Sequence, residues 1–185
     1  MFNVVLVEPE IPPNTGNIGR LCLATRSTLH LVKPLGFSLD DRELHRAGLD
    51  YWTEVYLQLW DSFDALLRAQ PTGTRYFFLT TKSKRPYYEI RFQKDDFLVF
   101  GRETKGLPEN LLAANVHDCI TIPMHGTRSL NLASAVAIVL FEAMRQRGPE
   151  NVATRAGLEV RSQGATGRSS FSSRYASKQG RSDVE

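Results

Sequence analysis

At 185 residues the chain is most simply one domain with a substantial core, since a body of this size buries about 70% of the surface its unfolded chain exposes. A formal charge of +3 is too small an excess to argue for an anionic partner until the cations are placed. The two cysteines, Cys22 and Cys119, sit in apolar surroundings and exclude a disulfide framework, while the four histidines show no ligand spacing, so no metal is expected.

The first residues carry no cationic region and no cleavage site, so no signal peptide is expected. No uncharged run reaches the roughly 20 residues that a bilayer crossing needs. A soluble, cytoplasmic protein is expected.

Residues 3–7 (N-V-V-L-V) form a continuous apolar run that suits a central parallel strand covered on both faces. E-P-E-I-P-P follows and reads as a stiff, extended loop, because its prolines disfavour helix. N-T-G-N-I-G-R-L-C-L-A-T-R then predicts a helix. Asn14 is its cap, Ile18, Leu21 and Cys22 share a face, and Arg20 emerges near its first turns.

The rhythm repeats with a strand at 29–32, a short polar helix at 40–47 and a strand at 55–59. A helix at 61–69 takes Asp61 as cap and turns Phe63, Leu66 and Leu67 to the core. Pro71 and Gly73 make a turn before a strand at 76–79, and the basic loop T-T-K-S-K-R-P-Y-Y comes next. A buried strand at 97–100 runs into G-R-E-T-K-G-L-P-E-N. Pro108 opens a helix with Leu111, Leu112 and Val116 on its apolar side.

A β-branched run from Cys119 is stopped by Pro123, and a polar loop with Gly126 leads to an uncharged helical stretch at 130–141, with Ser129 as cap. A helix apolar on every side must be covered by the domain, by a second chain, or by both. Gly148 and Pro149 end it, and residues 148–185 read as a mobile, mildly basic tail. Strands alternating with helices predict an α/β fold, a mostly parallel sheet flanked by helices, over residues 1–147.

Three polar loops follow strands: N-T-G-N-I-G-R at 14–20, F-G-R-E-T-K-G-L at 100–107 and I-P-M-H-G-T-R-S-L-N-L at 122–132. In a parallel sheet all three stand on the carboxyl edge, where ligands of open α/β sheets bind. Glycines 16, 19, 101, 106 and 126 allow positive φ and let a ligand approach bare backbone. G-N-I-G is not a dinucleotide fingerprint. It matches the G-x-x-G of an RNA-binding KH loop, but that module sets the loop between helices.

Together, and with E-P-E-I-P-P-N-T-G-N ahead of them, these loops closely resemble the SPOUT superfamily of methyltransferases, whose C-terminal sheet edge is tied in a trefoil knot. Within it the chain resembles the TrmL (YibK) group, tRNA 2′-O-methyltransferases acting at wobble position 34, from residue 1 to about 147. The resemblance implies that S-adenosylmethionine sits in the knot against Leu79, Thr80, Gly101, Gly106, Ile122, Met124, Ser129 and Leu130. It implies that Arg20, with Asn14 and Asn17 around it, faces the ribose to be methylated, and that Glu103 supports the second loop. It further implies a homodimer whose site is completed across the interface, and the anticodon loop of tRNA as partner. Two departures stand out. Phe141 replaces a Tyr found in relatives, and H-G-T between Met124 and Arg128 is one residue shorter than in some.

The residues suit such chemistry. Arg20 cannot be an ordinary base, because a guanidinium stays protonated; it can clamp a phosphate and stabilise charge growing on the attacking oxygen. Lys82, Lys84, Arg85, Arg102, Lys105 and Arg128 lie in or near the loops as candidate phosphate contacts, and Arg42, His45 and Arg46 extend the patch. Two other readings stay open: a related enzyme acting on ribosomal RNA or another tRNA position, and an RNA-binding knot protein without chemistry.

Overall fold

The computed structural model describes residues 1–38 and 51–148. Among them, six strands form one sheet in the order β3-β2-β1-β5-β4-β6, with every pairing parallel. The strands are β1 (Asn3–Val7), β2 (Thr28–Val32), β3 (Leu57–Trp60), β4 (Tyr76–Leu79), β5 (Phe97–Phe100) and β6 (Cys119–Ile120). Four α-helices accompany them among the described residues: α1 (Pro12–Thr25), α2 (Phe63–Ala69), α3 (Glu109–Ala114) and α4 (Leu132–Arg147).

The central strands explain why runs of four or five apolar residues appear without alternation. Val4 and Leu6 of β1, with Leu98 and Phe100 of β5, bury one sheet face together with Ile18 and Cys22 of α1 and Val136, Val139 and Leu140 of α4. Val5, Val7 and Val99 bury the opposite face with Leu66 of α2 and Leu112 of α3. Each central strand is thus apolar twice over, as two-sided cover requires.

Several expected boundaries move, each for a local reason. Pro12 and Pro13 open α1 rather than extending the loop before it, because a proline at the first helical turn gives up an N–H that has no partner there. Asn14 is therefore inside the helix and not its cap. Asp61 does not cap α2; Ser62 does, accepting from the Ala65 N–H at 3.1 Å, while Asp61 pairs with Lys33 at 2.9 Å. Leu66 is buried but Leu67 faces solvent. The turn Trp52–Glu54 delays β3 to Leu57. Pro108 lies one residue ahead of α3, and Val116 is exposed in the following turn.

Only two residues of the run from Cys119 join the sheet; Thr121 instead bridges Pro86. Ser129 is not the cap of α4. Asn131 is, its side-chain oxygen accepting from Ala133 and Ser134 at 2.9 and 3.3 Å. One face of α4 packs on the sheet core and against α1, and Phe141 stays half-exposed. The helix expected at 40–47, with Arg42, His45 and Arg46, and the tail from 149 onward lie outside the described residues.

Candidate active site

Because β1, β5, β4 and β6 are successive neighbours in the sheet, the segments leaving their carboxyl ends stand side by side. They enclose a cavity of about 520 Å³. Leu79 and Thr80 line it after β4, Gly101 and Gly106 after β5, and Ile122, Met124, Ser129 and Leu130 after β6, joined by Asn14 and Glu103. Arg20 and Asn17 do not line it; they are exposed on α1. Of the expected cations, Lys82, Arg102 and Lys105 reach the lining, whereas Lys84, Arg85 and Arg128 are exposed outside it.

The glycines play different parts from one another. A Cβ on Gly101 would lie 2.1 Å from the carbonyl carbon of Gly106 and 2.2 Å from the Leu107 nitrogen, so the loop closes on bare backbone. Arg102 and Gly106 exchange backbone hydrogen bonds at 3.2 and 2.9 Å across it, and Gly106 supplies the left-handed φ of 69° the closure needs. Gly16 and Gly19, in contrast, have no positive φ and sit inside α1. A Cβ on Gly19 would come within 2.5 Å of the Trp52 ring, and the Gly16 carbonyl accepts from the Tyr51 hydroxyl at 2.7 Å. Neither has the positive φ expected of it, and Gly19 makes room for an aromatic ring rather than a ligand.

Polar side chains tie the loops together. The Glu103 carboxylate accepts from the Glu10 and Ile11 amides at 2.9 and 3.3 Å and from the Asn14 side-chain amide at 3.1 Å. Glu10 reciprocates, accepting from the Thr104 amide at 3.1 Å and its hydroxyl at 2.7 Å. Asn131 donates to the Asn14 oxygen at 2.9 Å while capping α4 with its own oxygen. One relay therefore runs from the loop after β5, through the first turn of α1, to the start of α4. Sequence reasoning missed Glu8, Glu10 and Thr104. The one available hint was a pair of carboxylates inside a proline run.

Several cations are already engaged. Arg102 pairs with Glu8, Lys82 pairs with Glu109, and the Arg85 guanidinium donates to the His117 carbonyl at 3.1 Å. Arg20 instead lies over the Tyr51 ring, 4.5 Å from its centroid. Burial pushes the Cys22 thiol up to about 12 and raises Cys119 as well, so neither offers a thiolate at neutral pH. No group of His, Cys, Asp and Glu among the described residues could hold a metal ion, and no helix among them is long and apolar enough to cross a membrane.

Known proteins resemble the chain in sequence and in fold. A tRNA (cytidine(34)-2′-O)-methyltransferase of Polaromonas sp. is 50% identical over 151 residues, spanning 80% of this chain and 92% of the relative. The enzyme of that name from Burkholderia ambifaria is 47% identical over 153 residues, spanning 81% and 98%. A solved structure described as giving insights into the 2-OH methylation of C/U34 on tRNA superposes with a TM-score of 0.75 at 49% identity, covering 80% of this chain and 96% of its own. An AdoMet-bound rRNA methyltransferase from Sinorhizobium meliloti superposes with a TM-score of 0.68 at 28% identity, covering 78% and 56%. The model of the SpoU rRNA Methylase family matches residues 1–141, and the chain belongs to that family.

Proposed function

We infer that this protein methylates the 2′-hydroxyl of nucleotide 34 in tRNA, a cytidine or a modified uridine, with S-adenosylmethionine as donor. The observation that carries this reading is one cavity on the carboxyl edge of β5, β4 and β6, lined by every residue expected to hold the donor. Relatives close to 50% identical that bear the name of this activity support it.

The residues present fit the donor. The cavity has the volume of a small-molecule site, and the Gly101–Leu107 approach leaves backbone rather than side chain against a ligand. Leu79, Ile122 and Leu130 supply the apolar wall, and the loop backbone supplies polar groups. When bound, the donor supplies an electrophilic methyl on a positively charged sulfur. A carboxylate left facing that charge would hold the ground state more firmly than the transition state. Glu103, though in the lining, is occupied by two amides and Asn14.

Arg20 clamps the phosphate beside the target nucleotide and stabilises negative charge growing on the 2′-oxygen, with that phosphate or a water taking the proton. Since Arg20 stands outside the cavity lining of its own chain, the working unit is a homodimer in which one protomer's Arg20 serves its partner's cavity. The half-exposed Phe141 on α4 gives such an interface an apolar anchor. Lys84, Lys105 and Arg128 guide the anticodon loop, so binding weakens steeply with salt. With tRNA as substrate the enzyme works in the cytoplasm.

The trefoil knot belongs to the same reading. The Thr121 backbone donates to Arg85 and accepts from Tyr87 at 2.9 and 2.8 Å, and Gln146 holds Ile90 and Phe92 at 2.9 Å each. The segments after β4 and β6 therefore run alongside each other in parallel.

Arg20→Ala tests the assignment of roles. It is expected to abolish methylation while leaving S-adenosylmethionine affinity, read by calorimetry, within about twofold of the parent. Loss of cofactor binding together with activity would remove Arg20 from the RNA side of the site. Light scattering at micromolar concentration should report a dimer, and a monomer would undercut the shared site.

A further inference from the structure

Tyr51 and Trp52, just ahead of β3, rest on α1 at the two positions that lack side chains. The Trp52 ring occupies the space a Cβ on Gly19 would need. The Tyr51 hydroxyl is anchored to the Gly16 carbonyl at 2.7 Å, and the Arg20 guanidinium lies 4.5 Å from the centre of that same ring. Gly19 and Arg20 follow Gly16 by three and four residues and so lie on its helix face. The sequence G-N-I-G-R is thus a seat for two aromatic rings with a cation laid over one of them.

The kind of partner matters. Arg102 and Arg145 are paired with the carboxylates of Glu8 and Glu142, which consume N–H donors and neutralise the charge. Arg20 has no carboxylate partner among the described residues, and an aromatic face uses none of its five N–H donors. A long arginine side chain left alone would have to be ordered each time substrate arrives. The Tyr51 ring orders it beforehand and leaves its charge and donors available.

We propose that Tyr51 is a positioning residue for the methyl transfer: its ring, pinned to α1 through the Gly16 carbonyl, presents the Arg20 guanidinium to the anionic RNA backbone. This rests on the reading of Arg20 as the RNA clamp. A contact of this kind corresponds to about 3- to 30-fold in rate or affinity.

The test compares Tyr51→Phe, Tyr51→Leu, Arg20→Ala and the double variant Tyr51→Leu/Arg20→Ala in the full-length protein. The readouts are steady-state kinetics on unmodified tRNA, equilibrium tRNA binding and S-adenosylmethionine binding. Tyr51→Phe keeps the ring and is expected to retain activity within about threefold. Tyr51→Leu is expected to lower kcat/KM and tRNA affinity by about 3- to 30-fold with cofactor affinity unchanged. In tRNA binding the double variant should be no weaker than Arg20→Ala alone, since Tyr51 acts only through that guanidinium. Additive losses, or loss of cofactor affinity in Tyr51→Leu, would make Tyr51 a general structural residue and overturn the proposal. An inactive Arg20→Ala beside a Tyr51→Leu that matches the parent would overturn it while leaving the reading of Arg20 intact. A fully active Arg20→Ala would remove that reading itself.

Discussion

The loop after β5 and the loop after β6 face one cavity but are built in opposite ways. In the first, Arg102, Glu103, Thr104 and Gly106 all hold partners inside the protein, three of them through carboxylates or amides more than 90 residues away. In the second, residues 125–130 are all exposed, and the side-chain bond found there runs only from the Thr127 hydroxyl to the Ser129 carbonyl at 3.2 Å. Order returns at Asn131, where the relay from Glu103 and Asn14 ends in the cap of α4. One wall of the site is thus preformed by hydrogen bonds, while the other carries few contacts and is free to settle on its ligand. Substitutions in the first wall should damage structure and affinity together; those in the second should touch affinity alone.

The largest effect is expected at Gly101. Its added Cβ would meet backbone at 2.1 Å, which cannot yield as a flexible side chain can. Gly101→Ala should weaken S-adenosylmethionine binding by about 100-fold in calorimetry. Asn131→Ala comes next. It removes the α4 cap and strips a donor from the buried Asn14, which should cost about 2 kcal/mol of stability in urea titration and about tenfold in cofactor affinity.

Gly126→Ala probes the open wall. With φ at 110° the new side chain is strained, but the exposed segment can relax. Cofactor affinity should fall about threefold while the melting temperature stays within about a degree of the parent. If Gly126→Ala melted as early as Asn131→Ala, the contrast between the two walls would be lost.

A control lies far from the edge. His30, buried on β2, accepts from the Trp60 indole at 3.0 Å and meets the Asn3 oxygen at 3.1 Å, so its proton sits on Nε2. Burial lowers it to about 4. The unfolded chain takes up a proton near the usual 6.5 and the folded chain does not, so stability is complete above that pH and declines as pH falls toward 4. Urea midpoints between pH 7 and 4 should show this decline, and replacing His30 by Gln should flatten it.

What could be read from the sequence follows from what kind of interaction placed it. β4 and β5 were legible to the residue, because a four-residue apolar run in a covered parallel sheet needs no distant information. The cavity lining was legible through the resemblance of three loops taken together, and parallel pairing then set them on one edge. The caps were not. Asp61 beside Ser62 and Ser129 near Asn131 offer competing side chains, and the choice falls to the residue directly ahead of the first helical turn, whose oxygen reaches the free amides. Gly19 was misread because what excludes a side chain there is the Trp52 ring, more than 30 residues away. The Glu10 and Glu103 latches were invisible for the same reason, since no local periodicity marks a bond across 93 residues.

The central claim is tested most directly by nucleoside mass spectrometry of tRNA from cells with and without the gene, with fragments assigned to the anticodon loop. A 2′-O-methyl group at nucleotide 34 that disappears with the gene and returns when the parent protein, but not Arg20→Ala, is supplied is the predicted result. An unchanged 2′-O-methyl content at nucleotide 34 in cells lacking the gene would contradict it.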